Sequence, residues 1–145
     1  MIKDAWKNYE MLVKSIYDAL LARRDVDNLE IRHNVKLQGS KTKHQIDIFW
    51  RFRLAGKEYK TIVEVRKRKR RATKTELMAF DRLLADIPGR PNGIVVTYSG
   101  YQSGALQFAN DAGITLLELT EVPQERTGIT LTPLGLHPEN SAEMR

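Results

Sequence analysis

Two acidic side chains, Asp47 and Glu64, carry the first chemical signal, because the chain between them reads as one hairpin. Residues 44–54 (HQIDIFWRFRL) and 57–67 (KEYKTIVEVRK) each alternate apolar and polar side chains, with Ala55-Gly56 between them. Two β-runs joined by a short glycine-containing turn predict an antiparallel pair. If Leu54 pairs with Lys57, Asp47 falls opposite Glu64. Directly opposed side chains in such a pair sit about 4.5–5.5 Å apart at Cβ, and like charges there destabilise the sheet. A divalent cation between them removes the cost. Mg²⁺ typically takes one or two carboxylates together with water and phosphate oxygens. A metal-free pair neutralised by Arg51 and Arg66 is the second reading these residues allow.

Strand parity decides what accompanies the two acids. It places Ile46, Ile48, Trp50 and Phe52 on one face, and Gln45, Asp47, Phe49 and Arg51 on the other. On the second run Lys60, Ile62, Glu64 and Arg66 oppose Tyr59, Thr61, Val63 and Val65. Asp47, Glu64 and Arg66 therefore share a surface, while Lys67 points to the other face.

The surrounding elements follow from periodicity. Ile2, Ala5, Trp6, Tyr9, Leu12, Val13, Ile16, Tyr17 and Leu20 recur at three- and four-residue steps, which predicts an N-terminal helix. Glu10 lies at the rim of that stripe, either as a metal ligand or as a solvated flank. Residues 25–29 form a polar connection, 30–38 a first strand and 39–43 a polar loop. Residues 73–86 read as a second helix capped by Thr73 or Thr75, with Leu77, Phe80, Leu83, Leu84 and Ile87 as its stripe. After a Pro/Gly break come a buried strand at 93–98, a helix at 101–112 facing Ala105, Phe108, Ala109 and Ala112 inward, and a strand at 114–119. The expected fold is α/β: a mixed central sheet flanked by helices in the order αβββαβαβ. Residues 1–122 form that domain. Residues 123–145 are an extension with an edge strand at 129–134 and a frayed tail.

The net charge of +6 is unevenly placed. Residues 41–71 hold 12 Lys/Arg against 3 Asp/Glu, and the remainder 12 against 15. Arg66, Lys67, Arg68, Lys69, Arg70 and Arg71 are an unbroken basic run beside the acidic pair. Such a patch fits a polyanion such as nucleic acid, and it also fits an import signal or a solvated surface. The chain has no cysteine, hence no disulfide, thiolate zinc site or cysteine nucleophile. No apolar run approaches the roughly 18 residues that cross a bilayer, and residues 1–10 lack a signal peptide's apolar core. A soluble cytoplasmic protein is expected.

Other motifs are weaker. His33, His44 and His137 lack metal-ligand spacing. Ser99 and Ser103 lack the partners of a serine hydrolase. Tyr101-Gln102-Ser103-Gly104 opens a helix after a strand, where Gln102 either reaches DNA or a metal-bound water, or sits in an ordinary capped loop.

From residue 6 to residue 119 the chain resembles the PD-(D/E)XK, or restriction-endonuclease-like, nuclease superfamily in its Mrr-like branch. The resemblance rests on Tyr9-Glu10, His44-Gln45-Ile46-Asp47, Ile62-Val63-Glu64-Val65-Arg66, Gly93-Ile94-Val95-Val96-Thr97 and Gly100-Tyr101-Gln102-Ser103-Gly104-Ala105. It implies hydrolysis of DNA phosphodiesters with Mg²⁺ or Mn²⁺. Asp47, Glu64 and the Val65 carbonyl would bind the metal. Glu10 would join the site, and Arg66 would fall where the family carries lysine. Lys41, Lys43, Lys67, Arg68, Lys69, Arg70, Arg71 and Gln102 would contact DNA, and a homodimer would cut both strands most simply. Arginine keeps the charge and can clamp a phosphate, but it does not transfer protons at neutral pH. Lys67 or Lys69 substitutes only if the strand ends or bulges there. A DNA-binding module that has lost catalysis is thus the alternative, and a basic protein that binds no nucleic acid is a third.

Overall fold

Among the described residues the β-runs assemble into one six-stranded sheet whose strands lie side by side in chain order. The computed structural model describes residues 2–121 and 129–133, with side chains described for residues 9–119. Its elements are α1 (Ile2–Leu21), β1 (Asp27–Gln38), β2 (Lys43–Leu54), β3 (Lys57–Arg66), α2 (Lys74–Asp86), β4 (Asn92–Thr97), α3 (Ser103–Ala112), β5 (Thr115–Glu121) and β6 (Ile129–Pro133). The frayed tail expected of the last ten residues lies outside the described residues.

Connection length dictates strand direction. Short links give antiparallel β1–β2 and β2–β3 pairs, whereas α2 and α3 bridge the parallel β3–β4 and β4–β5 pairs. β6 pairs antiparallel with β5 at the sheet edge. The β2–β3 turn has positive φ at both Ala55 (53°) and Gly56 (81°), the backbone that a two-residue type I′ hairpin requires.

Each face of the sheet has its own core. Ile46, Phe49, Ile62, Val95 and Leu116 pack with Leu77, Phe80 and Leu84 of α2 and with Ala105 and Ala109 of α3. Ile48, Val63, Val65, Val96 and Leu119 pack with Tyr9 and Leu12 of α1. Alternation in β4 and β5 sends neighbouring residues to opposite cores, so the sheet is buried on both sides. Gly93 lets α2 approach β4 closely: a Cβ there would lie 2.4 Å from a Leu84 methyl. Thr73 caps α2 through a full capping box with Glu76.

Two expectations need correction. β1 begins at Asp27, inside the stretch expected to be a polar connection. A register shift between Asp27 and Glu30, with Asn28 at φ 55°, lets polar residues extend the strand. Ile46 does not share a face with Ile48. It belongs to the α2–α3 core, and Ile48 belongs to the α1 core. The alternation breaks at Asp47, where β1 offers Asn34 at φ 55° and the β1–β2 register pairs the residues on either side but not these two.

Candidate active site

The β2–β3 ladder runs in the expected register from Leu54↔Lys57 to Ile48↔Val63 and stops there. Asp47 comes next, and it does not pair through its backbone with Glu64. Its Oδ2 accepts the Val65 backbone N–H at 2.7 Å. Its own carbonyl accepts the Tyr9 hydroxyl at 3.0 Å. A side chain and a helix tyrosine thus satisfy groups that the parted strands leave unpaired. The opening is a cleft of about 440 Å³, lined by both carboxylates with Val65, Arg66, Lys67, Arg68 and Glu76.

Glu64 is the electrostatically stressed group. Burial, the Asp47 charge and the Glu76 charge together push its carboxyl up from 4.5 to about 7, against the pull of Arg66 and Arg68. No hydrogen bond or ion pair within hydrogen-bonding reach engages it among the described residues. A desolvated acid beside a second acid is the situation a bound cation relieves. Among the described residues no group of three or more His, Cys, Asp or Glu could hold a metal ion. The donor set that fits is therefore small: one free Asp47 oxygen, Glu64 and the Val65 carbonyl, the remainder being water or substrate as Mg²⁺ commonly accepts.

Arg66 is placed differently from a clamp over the acids. It is 7% exposed. Nε donates to Glu76 Oε2 at 3.2 Å, Nη1 to the Arg70 carbonyl and to Ser99 Oγ, and Nη2 to the Arg71 carbonyl at 3.3 Å. Four of its five N–H groups are thereby used inside the fold. The guanidinium ties the 67–71 loop to α2. Glu76, which the sequence reading passed over, is the hub. It also ion-pairs Arg68 at 3.4 Å and Arg70 at 3.5 Å. Burial pushes the Glu76 carboxyl up, but the Thr73 backbone N–H and Arg66 outweigh it and hold it below the usual carboxylate range. The T-x-x-E spacing from Thr73 was the available signal for its position.

The other candidate residues divide. Lys67 lines the cleft, and its side chain keeps to the α1 side of the sheet, the side that strand parity gives it with Val63 and Val65. Its Nζ lies 4.2 Å from the centroid of the Tyr9 ring. Arg68, Lys69, Arg70 and Arg71 are exposed along the following loop. Glu10 is exposed on α1 and does not line the cleft. Successive helix residues diverge by about 100°, so the face that turns Tyr9 to the sheet turns Glu10 away. Gln102 is an exposed N-cap of α3 with no side-chain cap bond, outside the cleft. Lys41 and Lys43 are exposed where the β1–β2 loop meets α2. There Asp86 accepts the Lys41 N–H at 2.9 Å and holds His44 Nε2 at 2.7 Å, which gives His44 a packing role.

Residues 5–124 match the family model Mrr_cat, restriction endonuclease. No curated protein sequence matches the chain. Among solved structures, the crystal structure of the protein of unknown function AF1548 superposes with a TM-score of 0.59 at 18% identity, over 83% of this chain and 62% of that one. The chain thus spans less than two thirds of AF1548, and the likeness is one of fold. MspJI restriction endonuclease in complex with a 27-mer oligonucleotide gives a TM-score of 0.48 at 15% identity, over 81% of this chain and 26% of that one. EndoMS in apo form gives 0.41 at 19% identity, over 81% and 47%.

Proposed function

Because this chain belongs to the Mrr_cat restriction endonuclease family, we propose that it is a metal-dependent DNA endonuclease with Asp47 and Glu64 as its metal-binding acids. The observation that carries the reading is Glu64: a carboxylate raised to about 7 in a cleft it shares with Asp47, beside the basic loop. Asp47, Glu64 and the Val65 carbonyl would hold Mg²⁺ or Mn²⁺. When bound, the metal supplies a Lewis acid for the phosphate and lowers the pKa of a bound water. Asp47 keeps one oxygen on the Val65 N–H and so fixes the direction of the other. Lys41, Lys43, Lys67, Arg68, Lys69, Arg70 and Arg71 gather the DNA backbone, contacts that give affinity without sequence information. Arg66 holds the loop that carries five of these cations. The nuclease unit is assigned to residues 1–122, with 123–145 as an extension.

The test is incubation of the purified protein with plasmid and Mg²⁺ or Mn²⁺. Cleavage is expected for the wild type and not for Asp47→Ala or Glu64→Ala, with duplex binding retained. Equal cleavage by Asp47→Ala would remove the metal assignment. A second reading, a DNA-binding module without catalysis, is favoured by the engagement of Arg66 inside the fold. It predicts salt-dependent binding and intact plasmid with either metal. Absent or salt-independent binding would leave neither reading standing.

A further inference from the structure

We propose that Lys67, seated on the ring of Tyr9, is the cation that meets the reacting phosphate, the role the linear motif assigns to Arg66. This rests on the nuclease reading above and names the residue that completes it.

Cleaving a phosphodiester spreads negative charge over the phosphate oxygens, so the cleft needs a cation that can face them. Two residues at the end of β3 compete for the part. Arg66 is buried, with four N–H groups held by Glu76, Ser99 and two loop carbonyls. Turning it to substrate would break that set and leave Glu76 and the carbonyls short of a buried donor. Lys67 follows the last strand residue and lines the same cleft as Asp47 and Glu64. Its ammonium lies 4.2 Å from the Tyr9 ring centroid, well inside cation–π range.

Tyr9 links this lysine to the metal-binding acid. Its hydroxyl donates to the Asp47 carbonyl at 3.0 Å while its ring carries the ammonium. Tyr98 adds a second restraint, donating its hydroxyl to the Lys67 carbonyl at 2.8 Å. Backbone and side chain of Lys67 are thus held at once, one by the residue after β4 and the other by α1. A flexible four-carbon stem so restrained loses less rotamer entropy on meeting a phosphate than an unrestrained surface lysine. Tyr9 is a positioning residue in this scheme, and Lys67 touches substrate.

The experiment measures duplex binding against salt in Ca²⁺ and single-turnover cleavage in Mg²⁺ at saturating protein. The proteins are the wild type, Lys67→Met, Lys67→Arg, Tyr9→Phe and Tyr9→Leu. Lys67→Met is expected to flatten the salt dependence by about one phosphate contact and to slow cleavage by about 100-fold, the range of one lost transition-state contact. Lys67→Arg should keep the salt slope. Tyr9→Phe keeps the ring and should stay near wild type in salt slope, whereas Tyr9→Leu should approach Lys67→Met. Circular dichroism confirms that each variant folds. Wild-type cleavage together with an unimpaired Lys67→Met overturns the proposal and leaves the nuclease reading intact. Binding without cleavage by the wild type removes the nuclease reading, and an unchanged salt slope in Lys67→Met then overturns the phosphate contact as well.

Discussion

Asp47 Oδ2 accepts the backbone N–H of Val65 at 2.7 Å, a side chain occupying a rung just beyond the end of the β2–β3 ladder. One carboxylate therefore serves structure and chemistry with different oxygens. Asn and Ala separate the two roles. Asp47→Asn keeps an acceptor for Val65 and removes the charge. Its melting temperature should stay within a few degrees of the wild type while metal-dependent cleavage is lost. Asp47→Ala also orphans a buried N–H and should cost a further ~1–3 kcal/mol in denaturant unfolding. Equal stability of the two variants would mean that the Val65 bond contributes nothing.

Glu64 makes stability fall with rising pH in metal-free buffer. Its carboxyl titrates near 4.5 unfolded and near 7 folded, so between those values the folded state binds more protons. Stability is then full below about pH 4.5, declines as pH rises to about 7, and changes no further above it. The displacement from 4.5 to about 7 corresponds to roughly 3 kcal/mol. Thermal melts of wild type and Glu64→Gln at pH 5 and pH 8 check this. The wild type should lose stability relative to Glu64→Gln at the higher pH, and millimolar Mg²⁺ should restore it.

Glu76 should matter more for folding than a single exposed ion pair would. It balances buried Arg66 and closes the α2 capping box, both at once. Glu76→Ala leaves Arg66 an uncompensated buried charge, a loss of about 3–5 kcal/mol by denaturant titration. Glu76→Gln can keep the capping bond to Thr73 and should lose less. Arg66→Lys cannot reproduce the fork to Glu76 and the loop carbonyls, so it should be destabilised and should not gain cleavage. A gain of cleavage there would return the motif role to position 66.

Glu10 should be dispensable. It is exposed and outside the cleft, so Glu10→Ala is expected within about 0.5 kcal/mol of wild type in stability, as for ordinary surface positions. Its cleavage rate with Mg²⁺ should be unchanged. A large loss of rate would place α1 closer to the acids during the reaction than it lies here.

Much of this molecule was legible in the chain because it depends on neighbours in sequence. The Ala55-Gly56 turn sets the register of residues 48–63, apolar stripes set the helices, and helix-linked strands run parallel. Each of these is a short-range rule that composition and spacing express directly. Parity, equally local, failed at Asp47, opposite Asn34 of the neighbouring strand, whose left-handed backbone no pattern within β2 announces. Tertiary structure alone decided how each of two neighbouring cations is held. Arg66 and Lys67 are adjacent and both cationic, yet carbonyls at 70 and 71 and the α2 acid Glu76 close around the first, while the α1 tyrosine Tyr9 holds the second at the cleft. A side chain's partners come from distant segments, and only packing brings those segments within a few ångströms.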